Sequence, residues 1–106
     1  MSHSLIYKVL RPSEWAHAEA RGVFSGSVDD LRDGFIHFST AEQLDATIER
    51  HFAGEPEVVV LEVAAAALGN ALRWEPSRGG ALFPHLYGDL ALANVIRTVT
   101  PGALRT

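Results

Sequence analysis

The chain contains no cysteine, a single lysine and no long apolar run. Without cysteine there can be no disulfide, zinc–thiolate site or thiol nucleophile, which fits a cytoplasmic protein. No stretch approaches the roughly 20 apolar residues that a membrane helix needs, and no basic region followed by an apolar run opens the sequence. The formal net charge of −4 excludes the basic surface on which nonspecific nucleic-acid binding depends. Lys8 apart, the basic residues are all arginines. Their planar forks suit carboxylate or phosphate, so an acidic chain still has room for a local anion pocket.

Several common motifs are also missing. The histidines at 3, 17, 37, 51 and 85 include no H-x-H or H-x-x-x-H pair, so no two metal ligands are preorganised, and no metal is expected. The chain offers "FSGS" where a serine hydrolase needs G-x-S-x-G. It has no Walker-type phosphate loop, and no G-x-G-x-x-G opens a helix after a strand.

What is present is one domain. The 106 residues, 47% of them hydrophobic, suffice for a single core. "LIYKVL" reads as a first strand. Pro12 and Glu14 suit the start of a helix that Gly22 stops. "VFSGSVDDLRDG" reads as a loop, and "FIHFS" as a short strand with Phe35, His37 and Ser39 on one side. Thr40 and Gln43 form a capping box for a helix from Ala41 to about Phe52, with Leu44, Ile48 and Phe52 as its apolar stripe. "EVVVLEV" lacks a solvent-facing alternation and reads as a central strand. "AAAALG" reads as a turn or short helix. In "ALRWE", Leu72 and Trp74 oppose Arg73 and Glu75. "NVIRTVT" is a last strand, stopped by Pro101. The fold class is α+β, with a mixed sheet and two main helices.

Candidate site residues form a constellation. His37, Ser39 and Thr40 sit where a strand becomes a helix N-terminus, and His51 flanks the buried stripe of that helix. The stretch "RWEPSRGGALFPHLYG", residues 73–88, fits neither helical nor strand periodicity. It reads as a stiff loop pinned by Pro76 and Pro84, with Arg78 and two glycines able to approach a phosphate. Each residue also has a purely structural account: Ser39 and Thr40 as a cap, His51 at a core edge, Trp74 in the core, Arg73 and Glu75 as a solvated pair. Together they predict one polar pocket. His37, Glu75 and His85 would stabilise charge or serve as acid and base. Ser39, Thr40, His51, Arg73, Arg78 and Tyr87 would contact ligand, and Trp74 and Phe83 would supply apolar walls.

At "DGFIHFSTAEQ", "RHF", "LRWEPSRGG" and "FPHLYG" the chain resembles DUF952, a small bacterial domain family of unknown function, over nearly its whole length. More distantly, its order of elements resembles the ADP-ribosyltransferase-like fold, especially the RNA 2′-phosphotransferases. That resemblance implies a split or strongly bent sheet with NAD held between the half-sheets, and a nucleotide- or NAD-directed transferase or hydrolase. The sequence departs from it at "IYKVL", where Lys8 stands in place of the superfamily's histidine. The expected ligand is a small anionic or nucleotide-like molecule, with NAD as the candidate cofactor and no membrane partner. The alternatives are a noncatalytic binding module and an interaction domain that uses the 73–88 stretch.

Overall fold

The computed structural model describes residues 4–99, except for the side chain of Arg78. Its strands are β1 (Leu5–Leu10), β2 (Val23–Phe24), β3 (Ile36–His37), β4 (Val59–Ala64), β5 (Leu72–Pro76), β6 (Leu82–Leu86), β7 (Leu90–Ala91) and β8 (Val95–Val99). Its α-helices are α1 (Pro12–Arg21), α2 (Val28–Asp33) and α3 (Ala41–His51). Short 3₁₀ segments link the later strands, and one of them, Ala65–Ala71, takes the place of the alanine run.

The class is α+β, and the sheet is split. Strands β1, β4 and β8 form one three-stranded sheet, β3, β6 and β5 another, and β2 and β7 a two-stranded ribbon. Every described ladder is antiparallel, so the expected mixed sheet is corrected to open antiparallel sheets. The connections explain this, because β5 and β6 join as a hairpin while the longer crossovers bring strands in from the opposite direction. The two larger sheets touch through a bridge between Tyr7 and Ser39, whose backbone groups exchange hydrogen bonds of 2.8 Å. β4 is central to its sheet, as its uniform Val-rich run predicts.

β1 and β4 are buried on both faces. Ile6, Leu10, Leu61 and Val63 enter the main core, with Ala18 of α1, Phe24, Ile36 and Leu86. Tyr7, Val9 and Val60 face the other way, beneath Leu44, Ile48 and Phe52 of α3. That stripe is the one the helical spacing predicts, and the Thr40–Gln43 capping box starts the helix as expected. Each fully buried aliphatic side chain here contributes roughly 1.5–3 kcal/mol.

Two expectations are corrected. The segment read as a loop before Phe35 contains β2 and α2, with a Ser27–Asp30 capping box at the start of α2. There are thus three α-helices among the described residues rather than two. The 73–88 stretch is a β-hairpin rather than a stiff loop. Pro84 lies inside β6, the middle strand of its sheet, where a missing N–H is normally costly. Its carbonyl accepts from Phe38, so the absent donor faces the β3 side, where the ladder is only two residues long. The end of the last strand, at Thr100 and Pro101, lies outside the described residues.

Candidate functional site

A cavity of about 250 Å³ opens beside the meeting point of the two large sheets. β1 contributes Lys8 and Val9 to its wall, α2 contributes Asp29 and Asp30, α3 contributes Thr47 and Arg50, and β6 contributes Phe83 and His85. Strand alternation explains the last pair. On the β3–β6–β5 sheet, Ile36, Leu72, Trp74 and Leu86 face the core, so His37, Arg73, Glu75, Phe83 and His85 project from the opposite face.

One wall is an ionic network. Lys8 shares the core-facing side of β1 with Ile6 and Leu10 and is only 5% exposed. Its ammonium lies 2.8 Å from the Asp30 carboxylate and 5.7 Å from the centre of the Phe24 ring. Asp30 also accepts from the backbone N–H groups of His37 and Ser27 and meets His37 Nδ1 at 2.6 Å. His37 Nε2 meets Asp33 at 2.9 Å. Since an ionised carboxylate only accepts, both His37 contacts are hydrogen bonds at once only when each ring nitrogen carries a proton. Burial works against ionisation of Asp30, but the His37 hydrogen bond and the Lys8 ammonium outweigh it and hold its carboxyl far below the ordinary value. Burial pushes the Lys8 amine down, and Asp30 restores part of the shift.

The other wall is a histidine set by a carboxylate. His85 stands opposite His37 in the β3–β6 ladder and opposite Arg73 in the β5–β6 ladder. Glu75 reaches it diagonally, placing Oε1 2.7 Å from Nδ1. The Tyr87 hydroxyl donates to the same oxygen at 2.8 Å. These two donors hold the Glu75 carboxyl below its usual range, His85 most of all, and Glu75 in turn raises the Tyr87 phenol. Phe35 stacks on the His85 ring at 4.0 Å and 21°. With Glu75 accepting from Nδ1, the neutral ring presents Nε2 as its basic nitrogen. Nε2 has no hydrogen-bond partner among the described residues, while His85 is 4% exposed and lines the cavity.

Of the residues predicted from sequence, His37, Ser39, His51, Phe83 and His85 line this cavity. Ser39 Oγ is 2.8 Å from Thr47 Oγ1. Glu75 and Tyr87 stand behind His85, and the Arg73 guanidinium lies 5.5 Å from the Tyr87 ring centre. Thr40 is buried and occupied as the cap of α3, its hydroxyl accepting from the Gln43 N–H. Trp74 packs on the core face of its sheet and so provides no cavity wall. The side chain of Arg78 lies outside the described residues.

Sequence reasoning missed Asp30, Arg50, Phe35 and Ser77. Asp30 had a legible signal, since Ser27 followed by an acid three residues on is a capping pattern. Phe35 and Arg50 had none, because their roles depend on which strands and helices meet. Among the described residues no cluster of three or more His, Asp or Glu side chains could hold a metal ion. No described helix is long and apolar enough to cross a membrane. The arrangement offers a buried amine, a carboxylate-backed imidazole and a guanidinium around one small space.

Two structures of protein CC0527 from Caulobacter crescentus resemble this fold. The crystal structure has a TM-score of 0.87 at 50% identity, covering 90% of this chain and 83% of that one. The solution NMR structure has a TM-score of 0.81 at 50% identity, covering 91% and 83%. No curated protein matches the chain. Residues 9–98 match the family model described as protein of unknown function, DUF952, and the chain belongs to that family.

Proposed function

We propose that the cavity binds a small anionic ligand, nucleotide-like in carrying a phosphate, and that His85 serves there as the acid–base group of a transferase or hydrolase. One observation carries this reading: a nearly buried imidazole, fixed at Nδ1 by Glu75, lines the same cavity as Arg50. Arg50 has no hydrogen bond or ion pair among the described residues. By contrast, Lys8 is neutralised by Asp30, Arg32 by Asp29 and Asp33, and Arg11 by Glu55. Arg50 is therefore the cation best placed to anchor an anion. His85 Nε2 would take a proton from an attacking hydroxyl or return one to a leaving group.

The likeness to the ADP-ribosyltransferase-like fold supports the location, because NAD occupies the seam between half-sheets in such proteins. Size limits what fits. At about 250 Å³ the cavity is smaller than the roughly 300–1,000 Å³ of drug-sized ligand sites. It suits the phosphoribosyl end of a nucleotide rather than an enclosed dinucleotide.

One observation favours a noncatalytic binding module as the second reading. His37, an expected catalytic residue, has both ring nitrogens on carboxylates. Calorimetry and turnover assays with mononucleotides and NAD separate the two readings. Saturable binding accompanied by turnover that His85→Ala abolishes supports the enzyme, and binding alone supports the module. Arg50→Ala should weaken binding about tenfold, or ~1.4 kcal/mol, with the melting temperature nearly unchanged. Unaltered binding in that variant would remove Arg50 from the site.

A further inference from the structure

Lys8 is the only lysine in a chain with eight arginines, and it occupies a costly position. Its side chain is 7% exposed and projects from a strand whose neighbouring positions on that face are core aliphatics. Were its role to supply positive charge to an anion, the Asp30 carboxylate at 2.8 Å would cancel it. An amine nevertheless differs from a guanidinium in one chemical respect. A buried lysine can lose its proton and act as a nucleophile, whereas arginine stays charged. Burial does push this amine down. Lys8 is one of the residues lining the cavity that Arg50 and His85 also line.

We infer that Lys8 is a nucleophile that captures an anionic aldehyde of the aldose-phosphate kind as an imine within this cavity. The inference rests on the anion-site reading above and narrows its ligand to one with a phosphate for Arg50 and a carbonyl carbon for Nζ. Ribose 5-phosphate, the fragment left when a nucleotide's glycosidic bond is hydrolysed, has both in its open-chain form. The ammonium first releases one proton to solvent. Nζ then bonds to the carbonyl carbon as the C=O π bond breaks, and one N–H proton passes to oxygen. Loss of the second N–H proton accompanies C–O cleavage, so water leaves and a C=N bond remains. Asp30 is a positioning residue that holds Nζ against the wall, and His85 is the imidazole placed to relay protons to the departing oxygen.

Having one lysine makes the test direct. The full-length protein is incubated with ribose 5-phosphate or glyoxylate and cyanoborohydride, then digested and mapped by mass spectrometry. Its amines are Lys8 and the terminal α-amino group. The expected result is reduced adduct on Lys8 at least about tenfold faster than on the same lysine in urea-unfolded chain, because the cavity holds carbonyl and amine together. Ribose 5-phosphate should label faster than glyoxylate if phosphate is the recognised anion, and the reverse order would identify a carboxylate. Either order upholds the imine. Labelling confined to the α-amino group, or Lys8 labelling no faster than in unfolded chain, overturns it and makes the Lys8–Asp30 pair a structural tie. Lys8→Arg, which keeps the charge beside Asp30, should abolish the internal adduct. Binding of ribose 5-phosphate in calorimetry without adduct would sink the imine and leave the anion site standing. Adduct formation unaffected by Arg50→Ala would sink the anchor and leave the imine standing.

Discussion

At the scale of single residues, Asp30 ties more of the site together than any position singled out from sequence. It caps α2, pairs with Lys8 and receives His37. Asp30→Asn keeps the side chain's shape and one acceptor but leaves a buried ammonium without its counter-charge. Removing one partner of a buried pair costs about 3–5 kcal/mol, and urea unfolding should show a loss in that range. A change below about 1 kcal/mol would place Lys8 in a better-solvated setting than its burial indicates. The sequence exposed this network unevenly. His37 stands out as an imidazole in a short strand, and His85 as one between a proline and a glycine in an irregular stretch. Lys8 is visible as the single lysine and as a departure from a histidine, but nothing in the sequence marks it as buried. Asp30 lay inside a run of Gly, Ser and Asp that reads as loop, because an acid at the third helical position looks the same whether it only caps or also reaches inward.

At the scale of elements, α2 is unusual in orientation. Its acid points inward while Val28 and Leu31 are 81% and 68% exposed. Apolar periodicity therefore could not reveal it: the helix is held by hydrogen bonds and charge rather than by an apolar stripe. Val28→Ser with Leu31→Ser should change stability by less than about 0.5 kcal/mol per site, as exposed positions do. The amides of α2 should also exchange faster than those of α3, whose Leu44 is buried. Protection in α2 equal to that of α3 would contradict this. The hairpin of β5 and β6 was half legible. Alternation in "ALRWE" sorted Arg73 and Glu75 from Leu72 and Trp74, and the structure keeps that division. Pro84 concealed β6, since a proline argues against a central strand unless the neighbouring ladder ends beside it. Gly79 and Gly80, at φ +66° and +82°, make the tight return that β-carbon-bearing residues resist.

At the scale of the whole molecule, charge placement predicts how stability follows pH. Asp30, Asp33, Glu62 and Glu75 all titrate below their ordinary values, 3.8 for the aspartates and 4.5 for the glutamates. The causes include burial outweighed by His37 and Lys8 at Asp30, and hydrogen bonds from Arg32, Arg97 and His85 at the others. A group depressed by folding contributes stability above its unfolded value and loses it as pH falls through its folded one. Stability should therefore hold down to about pH 5 and decline progressively below it. Thermal melts across pH 2–7 check this, and a flat profile below pH 4 would contradict it. Lys8 has the same sign in a higher window: its lowered folded value makes stability rise with pH between that value and the ordinary 10.5, while Asp30 offsets part of the burial cost of its charge.

The split antiparallel architecture brings these features to one place, because the two large sheets meet at Tyr7 and Ser39 and the cavity opens beside that seam. The central claim, that this cavity is a ligand site, is tested most directly by an NMR titration with ribose 5-phosphate, following backbone amides and imidazole nitrogens. The account predicts saturable shifts concentrated at His85, Ser39 and Arg50. Shifts confined to the shallow groove of Trp15, Leu92 and Arg97 on another face, or none at millimolar ligand, would contradict it.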